Sequence, residues 1–176
     1  MIFSNNLKNI LRNIKAILFD VDGVLTDGTI YLFSTEEFTR RMSIKDGYAI
    51  QYCIKQGIPI GIISGGNSDI MRKRFNLLGV TDLYFKSTTK IYDYQDFKFK
   101  YQLNDYEIAY MGDDIPDYEI MKLVGLPACP ADAVDEIKEI SKYISPRKGG
   151  EGCARDLIEI ILKAQNKWMN NNAFEW

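Results

Sequence analysis

Apolar positions along this chain fall into short, nearly unbroken runs that stop at small or acidic residues. Residues 15–21 (KAILFDV), 58–63 (IPIGII) and 107–111 (EIAYM) are such runs. Their length and β-branched content predict buried strands, and a strand apolar on both sides of its pleat belongs to a sheet covered on both faces. Turn chemistry follows each run: DGVLTDG after the first, SGGNS after the second and GDD after the third. Apolar positions recur at helical spacing over residues 47–56, 68–78, 91–103, 117–123 and 156–167. This alternation predicts an α/β fold, a Rossmann-like parallel sheet with helices on both faces. After Gly28, TIYLF and FTRRMSI flank STEE, which predicts a β-hairpin over about 28–43 projecting from the first loop. One domain is expected over 15–167, with an N-terminal segment at 1–14 and a C-terminal tail at 168–176 whose MNNNAFEW end reads as frayed.

Composition narrows the chemistry more than the fold. With 46% hydrophobic and 26% charged residues the chain is an ordinary globular protein. A net charge of −2 and a pI of about 5.3 offer no basic field for nucleic acid or an anionic membrane. The apolar runs fall far short of the roughly 18–20 residues of a membrane span, so a cytoplasmic protein is expected. Cys53, Cys129 and Cys153 are widely spaced and odd in number, which predicts reduced core thiols rather than a disulfide framework or zinc site. The absence of histidine excludes Ser-His-Asp and Cys-His catalysis and any histidine-ligated metal. The chemistry must run on carboxylates, lysines, hydroxyls and a hard metal ion.

In doubly covered parallel sheets ligands bind at the carboxyl ends of the strands, and here those ends carry Asp20 and Asp22, Ser64, and Asp113 and Asp114. Asp20 could attack phosphorus as a carboxylate nucleophile while Asp22 protonates the leaving oxygen and later activates water. The same DxDG could also be a solvated Asx-type turn. Asp113, Asp114 and Asp117 are the hard oxygen donors that magnesium prefers, and clustered carboxylates repel unless a cation sits between them; Asp114 could equally cap a helix. Ser64 with Gly65 offers a hydroxyl and free N–H groups to a phosphate oxygen, or simply an N-capped turn. Lys90 could neutralise phosphate and nucleophile together, with Lys86 its competitor.

The order DxD, Ser-Gly, Lys, GDDxxD, each near a strand end, resembles the haloacid dehalogenase superfamily. The resemblance implies Asp20 as nucleophile, Asp22 as acid/base, Ser64 and Lys90 as phosphate-binding catalytic residues, and Mg2+ held by Asp20, Asp22 and Asp113 with Asp114 and Asp117 behind them. An acid at Asp22 implies a phosphatase or phosphomutase, and too few residues lie between the motifs for a cap domain. DVDGVLTDG, the hairpin, IKDG at 44–47, MRKRF, YMGDD and GGEGCARD are similar to the capless, tetrameric 3-deoxy-D-manno-octulosonate 8-phosphate phosphatases. By that resemblance the partners are a phosphorylated eight- or nine-carbon sugar acid and the other subunits of a homotetramer. Lys45, Asp46, Gly47, Gly65, Arg72 and Arg155 become expected substrate contacts. The chain departs from the pattern at Gly66-Asn67-Ser68, where relatives commonly carry an arginine. Two rivals are a phosphorylatable receiver domain, which places its acceptor on a later strand, and an idle oligomerisation module, in which Asp20→Asn would be silent.

Overall fold

In the computed structural model, which describes residues 4–32 and 38–175, six parallel strands form one sheet. They are β1 (Ala16–Phe19), β2 (Ile60–Ser64), β3 (Asp82–Phe85), β4 (Ile108–Met111), β5 (Leu126–Cys129) and β6 (Tyr143–Ile144), in the order β3-β2-β1-β4-β5-β6. Seven α-helices are described: α1 (Asn5–Asn13), α2 (Ile44–Lys55), α3 (Asp69–Leu77), α4 (Lys90–Lys100), α5 (Tyr118–Leu123), α6 (Asp135–Ile140) and α7 (Cys153–Ala164). Serine side chains cap three helix starts where the sequence turns polar, Ser4 accepting from Leu7 N at α1. Ser43 accepts from Asp46 N at α2, and Ser68 accepts from Met71 N at α3.

Although β1 is apolar throughout, its side chains divide by the pleat. Ile17 and Phe19 join a core with residues of α2, α3 and α7, while Ala16 and Leu18 join a second core with residues of α4, α5 and α6. The three cysteines are free and buried in these cores.

The strand order reverses direction from β1, with β2 paired on one side and β4 on the other. Chain connections therefore leave the sheet to opposite sides at the carboxyl ends of β1 and β4, which opens a crevice there. Asp20 extends β1 into that crevice, its N–H still donating to the Met111 carbonyl at 3.0 Å. Asp113 follows β4 by two residues.

The loop after Asp20 turns sharply at Gly23, whose φ of +86° lies in the left-handed region. The glycine-rich segment before α7 braces this loop. Gly150 N–H donates to Val24 O at 2.9 Å, and a side chain at Gly149 would collide with the Gly23 carbonyl. The hairpin is present as two antiparallel bridges, Thr26 with Met42 and Tyr31 with Thr39; the STEE turn at 34–37 lies outside the described residues.

The tail corrects the expectation of a frayed end. Tyr52 donates to Lys167 O at 3.0 Å, Asn170 N–H donates to the Tyr52 hydroxyl at 3.0 Å, and Tyr48 donates to Ala173 O, docking the tail on α2. Trp168 adds an edge-on contact to the Tyr52 ring. No helix among the described residues is long and apolar enough to cross a membrane.

Candidate active site

Four elements deliver charged side chains to the crevice. Asp20 follows β1, Lys90 opens α4, Asp113 follows β4, and Asp117 closes a 3-10 turn before α5. Lys90 Nζ lies 2.8 Å from Asp20 Oδ1 and 2.7 Å from Asp117 Oδ1. Oxygens of Asp20, Asp113 and Asp117 all lie within 4.8 Å of one another. Burial is nearly complete, with side-chain exposures of 10% for Asp20, 9% for Lys90 and 1% for Asp117. Lys90, not Lys86, faces Asp20: Lys86 is exposed at φ +59° and is tied through its backbone N–H to Gly66 O.

Three carboxylates facing one ammonium at low dielectric cannot all stay charged comfortably. Burial, then the charge of Asp117, raises Asp20 from 3.8 to about 7, even against the opposing pull of Lys90. Burial, then the charges of Asp20 and Asp117, raises Asp113 to about 8. Burial opposes charge on Lys90, but Asp20 and Asp117 outweigh it and hold Lys90 above its usual value. This excess of hard, closely spaced oxygen donors fits a magnesium ion, whose charge would relieve the repulsion.

Asp117, expected behind the metal, brings an oxygen into the same cluster, yet both its oxygens already serve the protein. Oδ1 accepts from Lys90 and from the Tyr110 hydroxyl at 2.6 Å, and Oδ2 accepts from Asp113 N at 3.2 Å. It therefore holds Lys90 and the Asp113 backbone in place. Gly112 leaves the room, since a Cβ there would meet Asp117 Oδ2 at 2.4 Å. Asp114 is exposed and accepts from Ile115 N, capping the 3-10 turn.

A cavity of about 950 Å³ opens over this cluster, lined by Asp20, Asp22, Ser64, Gly65, Lys90 and Asp113 among others. Ser64 ends β2, and its Oγ accepts from Gly66 N at 3.1 Å. Asp22 is half-buried, and Arg40, a residue sequence reasoning did not single out, grips it with Nε at 2.5 Å and Nη2 at 3.1 Å. Nothing local in the sequence marks Arg40, because the contact spans the hairpin.

The other expected substrate contacts do not line this cavity. Asp46 is buried, accepts from the Arg155 backbone N–H at 2.7 Å, and so caps the start of α7. Gly47 faces Arg74, and Arg72 stacks over Phe85 at 4.7 Å. Lys45 and Arg155 line a separate pocket with Arg147 and Glu159.

Comparison with known proteins agrees with this geometry. Residues 67–157 match the model of the haloacid dehalogenase-like hydrolases. The 3-deoxy-D-manno-octulosonate 8-phosphate phosphatase of Yersinia pestis is 36% identical over 155 residues, 88% of this chain and 83% of the relative. Its crystal structure superposes with a TM-score of 0.91 at 33% identity, covering 94% of this chain and 89% of the other. The Moraxella catarrhalis enzyme of the same name, solved with magnesium, phosphate and 3-deoxy-D-manno-octulosonate, gives a TM-score of 0.90 at 30% identity, covering 94% and 95%. With the Rossmann-like sheet and the strand-end acidic cluster already in place, these matches show that the chain belongs to the haloacid dehalogenase-like hydrolase family, among its phosphatases.

Proposed function

We propose that this protein is a magnesium-dependent phosphomonoester hydrolase for a sugar-acid phosphate, with 3-deoxy-D-manno-octulosonate 8-phosphate as its substrate. The observation that carries the reading is the buried Lys90 ammonium bridging Asp20 and Asp117 beside Asp113 at the crevice between β1 and β4.

In the first step an Asp20 carboxylate oxygen attacks phosphorus as the bond from phosphorus to the sugar oxygen breaks, and Asp22 delivers a proton to that oxygen. The product is an aspartyl-phosphate on Asp20. In the second step Asp22 takes a proton from water, the resulting hydroxide attacks phosphorus, and the Asp20 carboxylate leaves with the electron pair. Lys90, the Ser64 hydroxyl and the Gly65 N–H hold the peripheral phosphate oxygens, so that most of the rate comes from positioning and charge neutralisation. Asp20, the Asp22 carbonyl and Asp113 would hold magnesium, which supplies positive charge between an anionic nucleophile and an anionic phosphate.

A homotetramer is part of this reading. The hairpin exposes Ile30, Tyr31, Leu32 and Phe38, an apolar surface suited to association with other copies. Light scattering on the eluted protein would return four protomers if the reading holds and one if it fails.

The test of the activity is phosphate release with magnesium over a panel containing octulosonate 8-phosphate, a nonulosonate 9-phosphate and hexose phosphates, with Asp20→Asn as control. A preference for octulosonate 8-phosphate, abolished in the variant, is expected. A preference for the nine-carbon substrate would move the assignment to that sugar, and indiscriminate turnover would leave only the phosphatase.

A further inference from the structure

Asp22 takes its side-chain partner from the hairpin, outside the sheet and its helices. Arg40 reaches it from the returning arm of the hairpin. The Arg40 Nε and Nη2 groups meet the two Asp22 oxygens separately, at 2.5 Å and 3.1 Å, which is the fork geometry that fixes a carboxylate plane as well as its position. The arginine is the more buried of the two, with 9% of its side chain exposed against 38% for Asp22. An ordered cation thus holds a less protected acid, rather than the reverse.

The backbone fixes both ends of this contact through one residue. Thr26 pairs with Met42 on the hairpin arm that carries Arg40. The Thr26 hydroxyl also accepts from Gly23 N at 3.3 Å and donates to Val21 O at 3.3 Å, closing the loop that carries Asp22. On the far side, the Arg40 Nη2 lies 3.4 Å from where a Cβ on Gly66 would stand. The guanidinium therefore occupies space over the Ser64-Gly65-Gly66 turn, at the edge of the cavity.

We propose that Arg40 is a positioning residue for Asp22, setting the carboxyl group where, once protonated, it hands its proton to the leaving sugar oxygen. The inference rests on the phosphatase reading above. Proton delivery matters when the leaving group is a poor one and hardly at all when it departs as a stable anion. Misplacing a reacting group by about 1 Å costs on the order of 10²-fold.

The test compares kcat/KM for a sugar phosphate, whose alkoxide needs a proton, with that for p-nitrophenyl phosphate, whose phenolate does not. Arg40→Ala should lower the first by about 10–100-fold and the second by less than about 3-fold. In an Asp22→Asn background Arg40→Ala should change neither. Arg40→Lys keeps the charge without the fork and should show the same leaving-group bias at reduced size, which serves if the alanine variant fails to fold. Equal losses on both substrates, a rise in KM alone, or a further loss in the Asp22→Asn background would each overturn the proposal. A wild-type protein that hydrolyses neither substrate would instead overturn the phosphatase reading on which it rests.

Discussion

The cavity at the strand ends and the pocket beside α7 are both lined by charged residues, yet they treat charge in opposite ways. Around Asp20 three carboxylates share one ammonium, and burial drives Asp20 and Asp113 up to about 7 and about 8. Beside α7 the acids are matched. Glu159 accepts from Arg155 and Lys163 at 2.7 Å each, and Asp156 accepts from Tyr143 and from Ser145 Oγ, the latter at 2.8 Å. Hydrogen bonds from Lys163 and Arg155 hold Glu159 below its usual value despite burial. A balanced set of pairs is architecture, whereas a buried imbalance costs stability unless a ligand or metal resolves it. The comparison explains why two pockets that both carry charged residues point to different roles.

The sharpest way to break the comparison is at Asp20, the proposed nucleophile. Asp20→Asn preserves shape and replaces the proposed attacking carboxylate with a neutral amide, so turnover should fall by on the order of 10⁴-fold or more, with only positioning left. Steady-state phosphate release measures this, and near-wild-type turnover would sink the covalent route. Lys90→Met comes next. It leaves Asp20 and Asp117 unneutralised and should cost about 10²–10³-fold in kcat, as the loss of a preorganised charge does. Its melting temperature should drop further at about pH 8 than at about pH 6, because Asp20 can take up a proton at the lower pH in place of its lost partner. Equal drops at both would mean that the three carboxylates do not share the ammonium.

A third test uses the imbalance itself. Asp20 and Asp113 have folded values near 7 and 8 against an ordinary 3.8, so the folded protein binds more protons than the unfolded chain between those limits. Their contribution to metal-free stability is full below about pH 4 and is lost as pH rises through about 7–8. Magnesium should reverse the trend, because binding displaces those protons. Melting curves with chelator and with magnesium should therefore diverge as pH rises from about 5.5 to about 8.5. Parallel curves would show that the cluster does not hold the ion.

How much of this was legible before the structure depends on how local each signal is. β1, β2 and β4 are central, and their apolar runs announced them, as did the acids and glycines at their ends. β3 opens with Asp82 and is only partly buried, and β5 contains Pro127, so neither builds a run that stands out. β6 has two residues. Helix α1, NNLKNILRN, places Leu7, Ile10 and Leu11 on one face at helical spacing, a pattern short and polar enough to be passed over, and that face packs on the core that α7 helps form. At the site, Asp20, Asp22 and Asp113 stood out as strand-end acids. The choice between Lys90 and Lys86 needed the α4 start to be placed, and Arg40 needed the hairpin folded back onto Asp22.

The smallest expected effect tests a buried acid that lies outside both pockets. Asp46, within an IKDG segment that resembles a substrate motif, is 2% exposed, and burial pushes its carboxyl up despite backbone N–H groups at the start of α7 that pull the other way. A carboxylate spent on capping a distant helix cannot also reach for a ligand through that packing. Nearly all of its value should therefore appear as stability: Asp46→Ala should cost about 1–3 kcal/mol, the range for losing a helix cap and leaving buried N–H groups unmatched. Chemical denaturation measures it, with KM for the preferred sugar phosphate as the companion reading. A KM increase of about tenfold with unchanged stability would return Asp46 to the substrate. A stability loss with KM unmoved assigns Asp46 to the fold, with one oxygen capping α7 and Oδ2 buried without a hydrogen-bond partner among the described residues.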